Sequence, residues 1–391
     1  MLPRPHTPGI FSRFRIAIKR VRLILNRLLL DFHTYRLIPY FVIAGFFTIA
    51  VASRILFNGM VYQFDYGVYQ PDGIHYTIRT LMWLGSSDYS AAQTVANWYA
   101  EHGTKVKFFN PQEYVPQNNP AWPVIAPRIL YPLLSIPFVM FLGIPGMLAI
   151  PSLSLLVTMF AIYFYSKRSG APWIGFLIAI SVSISPTVLR WAVSNCTDGL
   201  LMAIFAIAML LLLSTHESNW TLLKIAIVVG AACLTRFCLP IWILLSLVFY
   251  KSSKKHSYVI FFSAVLFTAP TFMYKSDSGK IPASDNFSTL NDYIMFPVTF
   301  LKILFVEIAE LAALDRILMI LILVAMILSF ITLSKRESQL FYAVFFGVFT
   351  LGAINGVLGV NFRYQLPLIP FSAVCIIAFL GQLRQKIENR V

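Results

Sequence analysis

Charged residues are scarce in this chain of 391 residues, and acidic ones most of all, with 16 Asp and Glu against 31 Lys and Arg. Only 12% of the residues are charged, whereas soluble domains carry about 25%. Hydrophobic residues make up 58% of the chain, and apolar runs recur from residue 37 to the C-terminus. This composition excludes an ordinary water-soluble enzyme and indicates an integral membrane protein.

Motifs that bind metals or nucleotides are also missing from the sequence. The four cysteines lie in or beside apolar runs without metal-site spacing, which is typical of small buried residues. There is no His-x-x-x-His motif and no Walker loop. The missing nucleotide loop argues against an ATP-driven pump. We expect no cofactor, because a divalent metal would lack a visible set of ligands.

The apolar runs predict an all-α polytopic membrane protein with about ten transmembrane helices, since each crossing needs about 20 apolar residues. Residues 1–36 mix Arg and Lys with Ile and Leu, which predicts either a cytoplasmic amphipathic helix on anionic lipid or a plain basic leader. Residues 37–391 are interpreted as one transmembrane domain. The predicted spans are 37–57, 145–166, 171–187, 199–214, 221–235, 237–250, 257–274, 314–333, 339–357 and 364–381.

A long polar segment, residues 58–127, follows the first predicted span and is rich in Tyr, Trp, Asp, Asn and Pro. Loops of this length are usually functional. Stretches 73–84 and 91–102 within it predict short helices, and its aromatic residues suit either sugar stacking or anchoring at the membrane interface. The apolar run 128–142 contains two prolines, which predicts a re-entrant or half-depth helix.

Basic residues cluster where the predicted helices end on one side. Because cationic loops stay in the cytoplasm, these clusters place both termini inside. They are Lys167-Arg168, Lys251 with Lys254 and Lys255, Lys335-Arg336, and Arg384 with Lys386. The net charge of +15 therefore reflects membrane topology, and nucleic acid is rejected as a partner. We favour a bacterial inner membrane, since the chain is compact and carries no retention signal for the endoplasmic reticulum.

A second group of ionisable residues falls on the opposite, non-cytoplasmic side. Arginines on that side oppose the positive-inside bias, and ionisable residues at membrane depth mark functional sites by default. The group consists of Asp65, Asp72, Arg128, Arg190, Asp198, Arg236 and Arg363. We therefore expect the functional site on this side.

Two carboxylates lie in the long outer loop. Asp72 precedes Tyr76 by one helical turn, and two interpretations stay open for it. Asp72 either caps the following helix or acts as a general base whose pKa is raised by partial desolvation. Asp65 is the reserve acid, as a second carboxylate, a metal ligand or a plain turn residue. His75 is expected to be a polar loop residue.

Three arginines lie farther along on the outer side, with a fourth before the last span. Arg128 precedes a helix, where it would either share an anion with the free backbone N–H groups or reach lipid headgroups. Arg190 and Asp198 bracket an outer turn, and Asp198 either caps the next helix or belongs to the site. Arg236 lies at the tip of a predicted hairpin, 221–250. Arg363 and Tyr364 precede the last span.

The order of these motifs resembles the GT-C superfamily of membrane glycosyltransferases, which use polyprenyl-phosphate-linked sugars. The order is a first span, a long outer loop with Asp and then Tyr, Arg-x-x-Tyr-Pro-Leu, Thr-Asp-Gly, a Thr-Arg hairpin and Arg-Tyr-x-Leu-Pro. The resemblance implies that Asp72, with Asp65 as competitor, is the catalytic base. It implies that outer arginines bind the lipid phosphate, and these are Arg128, Arg236 and Arg363. The other expected substrate-binding residues are Tyr76, Arg190, Asp198 and Tyr364.

The expected function is an inverting hexosyl- or pentosyltransferase that moves a sugar from a polyprenyl-phosphate donor to an acceptor glycan, lipid or protein on the non-cytoplasmic face. Arginine neutralises a leaving phosphate, and a carboxylate removes the acceptor proton. The main alternative is a membrane transporter or lipid-linked sugar flippase, which would place ionisable residues near the bilayer midplane. A polysaccharide polymerase or ligase, or a membrane acyltransferase, is the third.

Overall fold

The computed structural model describes residues 37–56, 68–102, 110–119, 122–214, 218–273, 295–355 and 363–388. Within these ranges every regular element is a helix, which confirms the all-α class for this part of the chain. The basic segment 1–36 and Asp65 lie outside the described residues, so the predictions for them stay predictions.

The helices follow one another in an order close to the predicted one. In chain order they are α1 (Ile38–Leu56), α2 (Pro71–Trp83), α3 (Asp88–Glu101), α4 (Pro111–Tyr114), α5 (Trp122–Ile125), α6 (Leu130–Leu142), a 3-10 helix (Ile144–Leu148), α7 (Ala149–Arg168), α8 (Pro172–Ile184), α9 (Pro186–Ala192), α10 (Asp198–Leu212), α11 (Asn219–Thr235), α12 (Leu239–Tyr250), α13 (Lys254–Met273), α14 (Phe296–Leu314), α15 (Arg316–Ile331), α16 (Arg336–Asn355) and α17 (Leu368–Glu388).

Several of these helices are long and apolar enough to cross a membrane. In the described ranges there are four such helices: α1, α16, α17, and the 3-10 helix together with α7, which continues it. Helices α8 and α9 make a fifth if they count as one bent span. Five more apolar helices have 10 to 17 residues, namely α6, α10, α11, α12 and α15. This make-up is compatible with a multi-pass membrane protein. The expected total of about ten crossings is not confirmed, because the shorter helices fall below the roughly 20 residues of a full span.

The half-depth prediction for residues 128–142 agrees with the length of α6. This helix has 13 residues, which at about 1.5 Å per residue gives roughly 20 Å of a hydrocarbon core about 30 Å thick. Two short helices, α11 and α12, occupy the segment predicted as a hairpin, but each packs chiefly against α13 rather than against the other. The two predicted helices of the outer loop are confirmed as α2 and α3.

Helix α14 was not predicted from the sequence. It carries Lys302, Glu307 and Glu310 within 19 residues, so no uninterrupted apolar run marks it. Glu307 is nevertheless buried, and the helix packs against α15 and α16. Hydropathy alone overlooks such an element, because its charges interrupt the pattern while tertiary contacts stabilise the helix.

Contacts between helix ends bring the basic clusters to one end of the helix bundle. Arg384 of α17 donates a hydrogen bond to the carbonyl oxygen of Gly170, between α7 and α8, at 3.1 Å. Tyr165, near the end of α7, donates to the Glu337 carboxylate at the start of α16, at 3.5 Å. The lysines and arginines at these helix ends therefore share one end of the bundle, as the positive-inside interpretation requires.

Helices α8 and α9 are separated by a bend of 68°. The joint is held by Asp315, which is buried. Its carboxylate accepts hydrogen bonds from the Ser185 hydroxyl and from the backbone N–H of Thr187, at 3.1 Å. It also accepts from the N–H of Leu318 at 3.0 Å. One carboxylate thus caps α9 and α15 together and fixes their relative position.

Candidate functional site

Helix α2 presents Asp72, Tyr76 and Arg79 on one face, because they are spaced by four and then three residues. The helix begins at Pro71, and its N-cap residue Gln70 makes no side-chain capping hydrogen bond. Asp72 is the second residue of the helix rather than its cap. The capping interpretation of Asp72 is therefore wrong, and its carboxylate is engaged elsewhere.

The guanidinium of Arg363 joins two carboxylates that are far apart in the sequence. Its Nη2 donates to Asp72 Oδ2 at 2.5 Å, and its Nε donates to Asp198 Oδ2 at 2.9 Å. The other oxygen of Asp198 pairs with Arg236. We call these four residues the ion-pair chain. It connects α2, the start of α10, the end of α11 and the turn before α17. Asp198 is thus held by two arginines rather than serving as a simple helix cap.

Exposure differs sharply along the ion-pair chain. The side chain of Asp198 is 1% exposed, that of Arg236 5% and that of Arg363 12%, whereas that of Asp72 is 44% exposed. Asp72 is therefore the carboxylate that another molecule can reach. Both oxygens of Asp198 are paired with guanidinium groups, so Asp198 orients Arg236 and Arg363.

Aromatic rings flank the guanidinium groups of this region. The Arg236 guanidinium lies 4.1 Å from the ring centroid of Tyr364. Those of Arg363 and Arg190 lie 4.8 Å and 4.9 Å from the ring of Trp191. Such contacts fix a planar guanidinium and stabilise its charge. The sequence reasoning named Tyr364 and Arg190 but missed Trp191, whose neighbour Arg190 was the available signal.

Arg128 belongs to the same region. Its Nη1 donates to the hydroxyl of Tyr76 at 3.0 Å, one turn beyond Asp72 on α2. In the described part of the chain, no carboxylate lies within ion-pair distance of Arg128, although its charge acts on Asp72. Counting Arg236 and Arg363 as well, three guanidinium groups face two carboxylates among these side chains. The surplus of positive charge favours an anionic ligand.

The environment of Asp72 determines its protonation. Burial alone would raise the pKa of Asp72, but the charge and hydrogen bond of Arg363 and the charges of Arg128 and Arg236 hold it well below its usual range. The expectation of a raised pKa is therefore wrong, because the cations outweigh desolvation. Asp72 is ionised at physiological pH and is ready to accept a proton or a hydrogen bond.

His75 lies on α2, one turn from Asp72 and within the predicted helix of the outer loop. Its Nδ1 is 2.9 Å from the side-chain nitrogen of Asn119, and its ring stacks on Tyr114 at 5.1 Å between centroids. Burial lowers the pKa of His75 to about 4; Asp72 raises it in part and Arg128 lowers it further. The imidazole is thus neutral at physiological pH.

Asn195 fastens α2 to the turn before α10. Its side-chain oxygen accepts from the backbone N–H of Gln70 at 2.7 Å, and its side-chain nitrogen donates to the hydroxyl of Tyr99 at 2.7 Å. A Cβ atom at Gly73 would lie 2.0 Å from that side-chain nitrogen, so only glycine permits this approach. We call these two hydrogen bonds of Asn195 the clip, and they hold the start of α2, with Asp72, beside the turn before α10. Sequence reasoning missed Asn195, and a glycine directly after Asp72 was its one visible sign.

Among the described residues, no three His, Cys, Asp or Glu side chains are grouped so that they could hold a metal ion. Neither protein-family models nor curated proteins yield a match to the chain. The grouping of Asp72 with Arg128, Arg236 and Arg363, which come from three separate segments, is therefore the observation from which a function is inferred.

Proposed function

We propose that the protein is an inverting glycosyltransferase that moves one sugar from a polyprenyl-phosphate donor to an acceptor hydroxyl. The observation that carries the proposal is the ion-pair chain, in which an accessible carboxylate lies beside several guanidinium groups at the end of the bundle away from the basic helix ends. The transfer needs one group that accepts a proton and others that accept a phosphate anion. The site contains both kinds of group.

The guanidinium groups supply the anion site. Arg363, Arg128 and Arg236 all act electrostatically on Asp72, so a phosphate beside that carboxylate lies within their combined field. Negative charge develops on the phosphate oxygen as the bond to the sugar breaks. Preorganised guanidinium groups in a largely water-excluded site stabilise that charge more than water does.

Asp72 supplies the base. The acceptor oxygen forms a bond to the anomeric carbon while the bond from that carbon to the phosphate oxygen breaks. The acceptor proton passes to Asp72, and the electron pair of the broken bond leaves with the phosphate. Attack from the side opposite the phosphate inverts the anomeric configuration. A donor phosphate that draws Arg363 toward itself weakens the ion pair at Asp72 and so raises its basicity.

The order of motifs that resembles the GT-C superfamily supports the same proposal. The charged motif residues Asp72, Arg128, Asp198, Arg236 and Arg363 lie in one region. Under the positive-inside rule, the basic helix ends support a non-cytoplasmic location for this region. We propose a bacterial inner membrane protein whose acceptor is a cell-envelope glycan, lipid or protein.

The transporter alternative is less well supported. Asp315 is a buried carboxylate, but it lies at the start of α15, where it accepts hydrogen bonds from Ser185, Thr187 and Leu318. A carboxylate satisfied by helix N-termini suits a structural joint better than a cargo site. The carboxylate Asp72 and the arginines around it lie together at the end of the bundle away from the basic helix ends, which favours a reaction at the membrane surface.

The proposal is tested with purified protein and a panel of polyprenyl-phosphate sugars, with intact-mass detection of a glycosylated acceptor. Asp72→Asn is expected to lower turnover by about 10²–10⁴-fold, the usual contribution of a general base. Asp88→Asn, at the start of α3, is the matched control and should keep turnover. Undiminished turnover in Asp72→Asn would remove the base from the mechanism. Consumption of no polyprenyl-phosphate sugar by the unaltered protein would remove the proposed function.

A further inference from the structure

Arg79 lies on the same face of α2 as Asp72 and Tyr76 but points to a different neighbour. Its side chain is buried, and its Nη1 donates to the carbonyl oxygens of Ile125 at 3.1 Å and Ala126 at 2.6 Å. These carbonyls lie at and just beyond the end of α5, where the usual N–H partners four residues further on are missing. The Arg79 guanidinium supplies a donor to both of them.

Two indole rings fix the plane of the Arg79 guanidinium. Trp83, one turn later on α2, has its ring centroid 4.9 Å from the guanidinium carbon. Trp122, the first residue of α5, has its centroid 5.5 Å away. A planar guanidinium can contact rings and donate in its plane at the same time, whereas the ammonium of lysine cannot reproduce this geometry.

The carbonyl of Ile125 also accepts from the backbone N–H of Arg128, at 2.9 Å. Arg79 therefore holds the backbone that carries Arg128, through one shared acceptor. Tyr76, three residues before Arg79 on α2, holds the Arg128 side chain through the hydrogen bond to its hydroxyl. Helix α2 thus fixes Arg128 at two points while also carrying Asp72.

We propose that Arg79 is a positioning residue that sets the place of Arg128, and with it the distance between the phosphate-binding cation and the base on α2. Arg128 precedes α6 and lies outside any helix, so its backbone depends on such contacts. The identity of the anion, a lipid-linked phosphate, rests on the proposed function. The mechanical link from Arg79 to Arg128 does not.

The test is a double-mutant cycle on binding of polyprenyl phosphate to the full-length protein in lipid nanodiscs. Arg79→Gln and Arg128→Ala are each expected to weaken binding on the order of tenfold, since each loses a charge-assisted hydrogen-bonding group or its placement. The double variant should bind no more weakly than Arg128→Ala alone, because Arg79 acts through Arg128. Additive losses in the double variant would overturn the proposal.

A second readout needs no ligand. Phenylglyoxal, which labels accessible guanidinium groups, should modify Arg128 faster in Arg79→Gln than in the unaltered chain, as followed by peptide mass spectrometry. Labelling of Arg168, at the basic end, is the internal control and should not change. Arg79→Lys should be intermediate and serves if Arg79→Gln does not fold. An unchanged Arg128 labelling rate would overturn the positioning role. Lack of polyprenyl phosphate binding by the unaltered protein, with faster labelling in the variant, would overturn the proposed function alone.

Discussion

Neutralising the buried carboxylate of the ion-pair chain should destabilise the protein far more than neutralising the accessible one. Asp198 is 1% exposed and pairs with both Arg236 and Arg363. Asp198→Asn keeps the shape but deprives the buried Arg236 of its carboxylate partner and leaves Arg363 paired with Asp72 alone. Removing one partner of a buried ion pair costs about 3–5 kcal/mol, because the remaining charge is left without compensation. At about 1.4 kcal/mol for each factor of ten, the folding equilibrium should fall by at least roughly 100-fold.

Asp72→Asn should have a much smaller effect on stability. The Asp72 side chain is 44% exposed, and solvent-accessible ion pairs contribute only about 0–1 kcal/mol. Its Arg363 partner also keeps Asp198 after the substitution. The two substitutions should therefore have different effects, although both carboxylates pair with Arg363. Asp198→Asn should lower the free energy of unfolding, whereas Asp72→Asn should lower turnover with little change in stability.

The measurement is equilibrium unfolding of the purified protein in mixed micelles with increasing SDS mole fraction, followed by far-ultraviolet circular dichroism. Asp88→Asn, at the start of α3, is the matched control for the change from carboxylate to amide. Equal unfolding midpoints for Asp198→Asn and Asp72→Asn would refute the reasoning, since they would mean that burial does not distinguish the two ion pairs. Wild-type stability of Asp198→Asn would mean that the paired guanidinium groups find other compensation.

Three further predictions concern the surroundings of this site. Gly73→Ala places a methyl group 2.0 Å from the Asn195 side chain; overpacking of this kind costs about 1–3 kcal/mol, and turnover and thermal unfolding should both decline, whereas an unchanged variant would contradict the clip. Arg363→Gln removes the main cause of the lowered pKa of Asp72. The pKa of Asp72 then rises, so turnover should fall as the pH drops through it, and a pH profile without this new acidic limb would count against Asp72 as base. Asp315→Ala leaves three hydrogen-bond donors unpaired at the joint of α8 and α9, at about 1–3 kcal/mol each, and an unshifted thermal transition would contradict its structural role.

The sequence was sufficient to predict five of the charged residues that gather at the site. Asp72, Arg128, Asp198, Arg236 and Arg363 were selected because they are expected on the non-cytoplasmic side, where ionisable residues mark functional sites and arginines oppose the charge bias. Helix ends and charges are visible in local sequence patterns. Helices α11 and α12 were predicted for the same reason, since apolar runs and their polar interruptions are strong signals.

The pairing of those residues was beyond the sequence pattern. Arg363 lies 291 positions from Asp72 and 165 from Asp198, so local periodicity carries no information about their contacts. The direction of the pKa shift at Asp72 depends on that pairing, which is why desolvation alone gave the wrong sign. The contacts of Arg79 and Asn195 were invisible for a related reason, since they bind backbone groups and any residue type can present those.

The shared guanidinium explains why a carboxylate with a lowered pKa is still suited to act as a base. While Arg363 pairs with Asp72, the carboxylate binds protons weakly. It therefore does little to deprotonate a water molecule. In the proposed reaction, a donor phosphate competes for the Nη2 group of Arg363, whereas the Nε group stays on Asp198, which is buried and has Arg236 as a second partner. The guanidinium therefore remains anchored through Nε and is available through Nη2. Under this proposal Asp72 gains basicity only when a phosphate is bound, so deprotonation of the acceptor is tied to the presence of the donor.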